Sequence, residues 1–350
     1  MEKKRIEYID AMRGFTMILV VLNHIAGFCL NIDGSVTSLN TYFYEFRMPL
    51  FFFVSGFVLY KSGIVWNLTH TAAFLRKKFP VQIVSTCIFF LAFTYVHSES
   101  LEENVWSDSK GGYWFTYVLF IYFVLYSLIR MLALLLKLEG WKKDVLALLF
   151  GGAFFVATIP SVMAKIPIDD RLLGLLSFKH WCYFVFFIIG TVVKKRFDLF
   201  QRLLDGRVLL VGCLTLFFGL NIFREPVISV QYNMFRFLTA VTGIIIIFSF
   251  FRSRSALFST QTTIGKGLCY IGRRTLDIYF LHYFLLPLNL SEVVTVFSQH
   301  PMPVLEFFVS SALSLIVIAV CLIISNVLRL SPLMGHWLFG VKLPKPSREE

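Results

Sequence analysis

Along the chain, long apolar runs alternate with short polar segments. A run of about 17–25 apolar residues is what a helix needs to cross a hydrocarbon core roughly 30 Å thick. The pattern predicts ten transmembrane helices, at 13–30, 42–60, 80–97, 113–136, 145–163, 178–193, 208–223, 234–251, 268–290 and 304–328. Pro49 interrupts the second, where it reads as N-terminal capping chemistry, and Gly212 and Gly219 dilute the seventh. The first carries Arg13 and His24 and is followed by no small-x-small cleavage site, so it reads as a span and not a signal peptide. No fixed-period repeat or low-complexity tract appears, and the loops are short. The expected fold class is all-α, a polytopic membrane-embedded bundle over residues 1–350 with no attached soluble domain.

Composition strengthens that reading. Hydrophobic residues make up 57% of the chain and charged residues 15%, against about 25% charged in an average globular domain. So few charges cannot cover a water-soluble surface, and disorder, collagen and a small disulfide scaffold are excluded too. The net charge of +12 raises the question of nucleic acid. Its distribution answers it. Of 33 Lys and Arg residues, 24 fall at the N-terminus, in the loops joining even to odd spans, and at the C-terminus. By the positive-inside rule both termini are cytoplasmic, and the excess charge is a topology signal. The six cysteines sit in or beside apolar runs without a CxxC pair, as small apolar residues do. Seven scattered histidines imply no metal, and no phosphate loop, dinucleotide fingerprint or HExxH occurs.

Ionisable groups at membrane depth are costly, so each is a candidate for function. Arg13 and His24 are eleven residues apart, about 20° beyond three full turns, and share a face with Met17 and Val20. The rise between them is about 16 Å, which puts Arg13 at the cytoplasmic edge and His24 near the midplane. Asp10 lies on the same face, in reach of the guanidinium. In the ninth span His282 reaches a similar depth, either lining a shared cavity or satisfied by its neighbours Tyr279 and Tyr283. Asp277 forms a helix-surface ion pair with Arg273 or Arg274 on this reading. Arg47 at the outer rim either faces an acceptor or snorkels, while Ser55-Gly56 admits a neighbouring helix. Arg76, Lys77 and Lys78 precede the third span, and Tyr113-Trp114-Phe115 sits where an aromatic belt is expected. Glu45, Asp108 and Glu306, near Tyr44 and Trp181, suit an outer sugar site.

Taken together, these residues resemble membrane-bound acyltransferase family 3. The resemblance rests on Tyr8-Ile9-Asp10-Ala11-Met12-Arg13-Gly14-Phe15 with His24 after ten intervening residues, the Phe46 to Phe57 run, Tyr113-Trp114-Phe115, and Ile271 to His282. It implies a bacterial inner-membrane enzyme that moves an acyl group, usually acetyl, from cytoplasmic acetyl-CoA or another acyl-CoA to a hydroxyl of an envelope glycan or lipid-linked sugar. It implies that Arg13 and His24 are the functional pair, His24 acting as base or acyl carrier. It places CoA near Arg76, Lys77 and Lys78; position at the cytoplasmic span ends adds Arg273 and Arg274 to the donor side, and the residues' own placement puts the acceptor near Arg47, Ser55, Trp114 and His282. Two departures stand out. The family's usual Arg-x-x-Arg is broken here, since Phe79 follows Arg76 at that spacing, and Arg47 replaces the His that often precedes Met-Pro. A polytopic transporter or flippase using Arg13, His24 and His282 is the rival reading.

Overall fold

The computed structural model describes residues 6–31, 39–222, 230–288, 290–300 and 302–343. Lys3, Lys4, Arg5, Lys345 and Arg348 of the topology count therefore lie outside the described residues. All described elements are helical. The principal helices are α1 (Glu7–His24), α2 (Thr41–Leu59), α3 (Leu68–Val96), α4 (Trp114–Leu135), α5 (Lys142–Ala157), α6 (Phe184–Lys195), α7 (Arg207–Ile222), α8 (Val230–Ser253), α9 (Thr263–Arg273), α10 (Thr275–Leu281) and α11 (Pro303–Leu328). Among the described residues five are long and apolar enough to cross a membrane: α1 with its extension to Cys29, α3, α4, α8 from Asn233, and α11. A sixth would be Phe197–Leu204 with α7, a pair bent by 75°.

Three predicted spans differ in form. The third begins twelve residues early, because the Asn67 side chain caps the His70 N–H and starts a helix that runs to Val96. Arg76, Lys77 and Lys78 consequently lie inside α3, not before it. Pro80 does not stop that helix, since a π-helical turn at Pro80–Val84 absorbs its missing N–H. The ninth span is broken into α9, α10 and a 3₁₀ turn, His282–Leu285, with the first break at Arg274 (φ −111°, ψ 14°). In the second span Pro49 lies inside α2 instead of at its start.

Helix α2 is the axis of the bundle. Successive residues on a helix point about 100° apart, and the consecutive Phe51, Phe52 and Phe53 enter three different apolar clusters. The first joins α1 to α10 and α11, the second joins α1 to α6, α8 and α9, and the third joins α4, α5 and α6. Helix α11 shows the inverted pattern of a lipid-facing helix. Ser310, Ser314, Cys321 and Ser325 are buried, while Leu315, Ile316, Ile323 and Val327 are exposed.

Two crossings depend on glycine. A Cβ on Gly14 would fall 2.1 Å from the Leu268 carbonyl oxygen, and one on Gly272 would fall 1.8 Å from that of Asp10. Helices α1 and α9 thus touch backbone to backbone. Gly56 and Gly190 do the same for α2 and α6, against the carbonyls of Phe187 and Phe53. We expect Gly272→Ala to cost about 1–3 kcal/mol, since backbone must move to admit a methyl group. Gly267→Ala, on the same helix with nothing within 4 Å of the added carbon, should be neutral or stabilising by less than about 1 kcal/mol. Thermal unfolding of both purified variants in detergent checks the contrast.

Candidate active site

The three-turn register of α1 places Arg13, Met17, Val20 and His24 on the wall of one cavity of about 390 Å³. Opposite them stand Arg47, Met48, Phe51 and Ser55 of α2, Gln82 of α3, Trp114 and Thr116 of α4, and Thr275, Tyr279 and Tyr283. His24 is the last residue of α1 before a π-helical turn, Ile25–Cys29, a distortion often found beside functional groups. Its ring stacks on Phe28, with centroids 5.3 Å apart and planes 2° from parallel. Its Nε2 lies 3.2 Å from the Tyr283 hydroxyl.

Arg13 donates from Nη2 to the Thr275 hydroxyl at 3.0 Å. Asp10 is 4.0 Å from the Arg13 guanidinium, but its other oxygen accepts from Arg273 Nε at 3.1 Å. Asp10 therefore serves both arginines, and Arg273 ties α9 to α1. Arg274 turns to the opposite side and joins Arg329 and the Ser325 hydroxyl around the Asp277 carboxylate. Asp277 is 1% exposed, so the helix-surface pair expected from the sequence is in fact a buried cluster linking α10 to α11. Arg273 and Arg274 line neither the central cavity nor the adjoining one that carries Lys77 and Lys78.

His282 lies behind the wall, fully buried, its ring 5.3 Å from that of His24. Its Nδ1 donates to the carbonyls of Ile278 and Tyr279 at 3.0 and 2.8 Å, while Nε2 has no partner. The tyrosine hydroxyls expected to satisfy it go elsewhere: Tyr283 meets His24, and Tyr279 donates to the Gly112 carbonyl. The aromatic belt also resolves differently. Tyr113 is 0% exposed and donates to the Phe280 carbonyl, and Trp114 stacks on His180 at 3.7 Å with 11° between planes. Lys110 fixes the turn before them, donating to the carbonyls of Val105, Ser107 and Gly174 at 2.7–2.8 Å. Burial pushes its ammonium down to about 8, so this clamp carries its full charge only below that pH.

A second cavity, about 590 Å³, shares Arg13, Ser55, Gln82 and Leu119 with the first and carries Lys61, His70, Lys77 and Lys78. Arg76 is exposed and lines neither. A third, about 360 Å³, meets the first across Tyr44, His180 and Tyr183. There the Glu45 carboxylate accepts from Arg236 Nε at 2.7 Å, so it is committed to a helix–helix ion pair. Arg47 is 8% exposed, packs 4.6 Å from the Tyr44 ring centroid, and has Nε and Nη1 without partners. The sequence reading missed Gln82, Thr275 and the role of Tyr283. Gln82 had a signal, as a lone amide in an apolar run. Thr275 and Tyr283 had none, since their partners are 262 and 259 residues away.

The class defined here is a helical membrane protein whose arginine and histidine, three turns apart on one helix, line a cavity that adjoins a lysine-bearing one. The family model described as an acyltransferase domain matches residues 6–324, and the chain belongs to that family, acyltransferase family 3. No curated relative and no solved structure matches it. Tyr283→Phe removes one hydrogen bond to His24, and acyl-transfer turnover should fall about tenfold while the fold persists. Steady-state kinetics beside a melting curve checks both halves.

Proposed function

We propose that this membrane acyltransferase takes an acyl group, normally acetyl, from acyl-CoA on the cytoplasmic side. It delivers the group to a hydroxyl of an envelope glycan, or its lipid-linked precursor, on the other side of the bacterial inner membrane. Ten spans with both termini inside complete the proposal, since that arrangement puts Lys61, Lys77 and Lys78 on the donor side. The observation that carries it is the shared neck of Arg13, Ser55, Gln82 and Leu119. A thioester arm lying in the lysine-bearing cavity extends past those shared residues toward His24. An acceptor approaches from the side of Arg47, Trp114 and His180.

The chemistry needs a base because a sugar hydroxyl is a poor nucleophile. His24 accepts the hydroxyl proton as the acceptor oxygen attacks the thioester carbon. The C–S bond then breaks, and the thiolate leaves with the proton held by the imidazolium. Alternatively the imidazole attacks first and carries the acyl group itself. In either route negative charge grows on the thioester oxygen, and the unpartnered N–H groups of Arg47 suit that charge in a water-poor chamber. The ring of Trp114, already stacked on one face, offers a surface for a sugar.

His24→Ala should lower transfer of labelled acetyl from acetyl-CoA to envelope extract by about 10²–10⁴-fold, with the melting temperature preserved. Arg13→Lys separates charge from the planar fork that reaches Thr275. Wild-type transfer by His24→Ala would overturn its assignment. Unacetylated glycan in wild-type cells, with uptake of a small molecule altered on deletion, would favour the transporter.

Neutralising Lys77 and Lys78 together should raise KM for acetyl-CoA more than it lowers kcat. Arg76→Gln, outside both cavities, should leave KM unchanged, and titrating initial rates against acetyl-CoA distinguishes them.

A further inference from the structure

A fourth cavity, about 200 Å³, opens beside the lysine-bearing one and shares Leu59, Lys61, Ile64 and Trp66 with it. Its wall also carries Arg130 of α4, Lys143 of α5 and Lys195 of α6. Arg130 and Lys195 converge on the buried Asp144 carboxylate at 3.4 and 2.7 Å, and Arg196 approaches the same group at 3.8 Å. Lys195 donates in addition to the Gly140 carbonyl at 3.2 Å. Among the described residues, Lys61 and Lys143 make no ion pair. Three cations thus share one carboxylate, while Lys61 and Lys143 add two more charges at the pocket wall. That carboxylate is fully engaged, so the pocket holds positive charge far beyond what it neutralises. Mutual repulsion at this density is relieved by an anion. A small polar cavity ringed by several ammonium groups and a guanidinium fits a compact dianion, which is what a phosphate monoester is near neutral pH.

We infer that this pocket binds a phosphate monoester presented by the nucleotide end of the donor, the 3′-phosphate of CoA. The inference rests on the donor reading above. The pyrophosphate then lies near Lys77 and Lys78 in the adjoining cavity, and Lys61 stands at the wall common to both. None of these four pocket cations belongs to the arginine pair by which the family's donor site is usually recognised. Lys61 follows the end of α2, and Arg130, Lys143 and Lys195 lie toward the ends of α4, α5 and α6, so four parts of the bundle read the phosphate. The broken Arg-x-x-Arg is in this way offset from elsewhere in the bundle.

The test uses the full-length protein in nanodiscs of zwitterionic lipid, with binding of CoA and of 3′-dephospho-CoA measured by calorimetry. Wild-type protein should bind CoA at least about tenfold more tightly than 3′-dephospho-CoA. Lys143→Gln should cut that preference several-fold while leaving 3′-dephospho-CoA affinity intact. Lys143 is the informative position because it holds no ion pair, whereas Arg130→Gln would also strand Asp144. Equal wild-type affinities, or a variant that weakens both ligands alike, would overturn the assignment with the donor reading intact. Binding of neither nucleotide would remove the donor reading itself and this inference with it. A preference that vanishes when anionic lipid is added would give the pocket to a lipid headgroup instead.

Discussion

The contact on which the site depends is the backbone approach of α1 and α9 at Gly14 and Gly272. With no side chain between them, Arg13 on one helix comes within hydrogen-bond distance of Thr275, just past the end of the other. The same approach carries α10 and its 3₁₀ extension alongside the upper half of α1, so Tyr283 meets His24. In a membrane the hydrophobic effect does not press helices together, and close packing of small residues takes its place. The geometry of the candidate site is therefore set about three turns from His24, by residues that have no chemistry.

Buried charge supplies the second level of organisation. Glu45 with Arg236 joins α2 to α8, Asp144 with Arg130 and Lys195 joins α5 to α4 and α6, and Asp277 with Arg329 joins α10 to α11. Each pair links different helices, so each fixes a neighbour relation that apolar contacts alone leave open to sliding. Removing one partner of a buried pair typically costs about 3–5 kcal/mol. Arg47 is the contrast. It lines the central cavity in the same kind of environment, yet its buried Nε and Nη1 atoms have no hydrogen-bond partner.

Much of the fold was legible because helices in lipid must satisfy their own backbones, so apolar length alone locates them. The α1 face was legible too, since a rigid helix turns spacing into geometry: Arg13, Met17, Val20 and His24 all reach the cavity. What stayed hidden depends on other elements. The break at Arg274 falls in the polar stretch Gly272-Arg273-Arg274-Thr275, which the predicted ninth span ran straight through. The early start of α3 was masked by Arg76, Lys77 and Lys78, which read as loop. Gln82 was visible but had no role until Ser55 and Arg13 were seen beside it. Tyr283 looked like a partner for its neighbour His282, and only tertiary structure turns it toward His24.

The chain of cavities bears on the membrane as an electrical barrier. Moving one elementary charge across it is worth about 2.3 kcal/mol per 100 mV, so a continuous column of water through the bundle would drain the gradient that the cell maintains. The lysine-bearing cavity and the central one share Arg13, Ser55, Gln82 and Leu119, and the central cavity meets the third at Tyr44, His180 and Tyr183. Those three rings stand where the two cavities meet. On the proposed reading an uncharged acyl group is passed across where a hydrated ion is not, and group transfer becomes a way of exporting carbon without opening a pore.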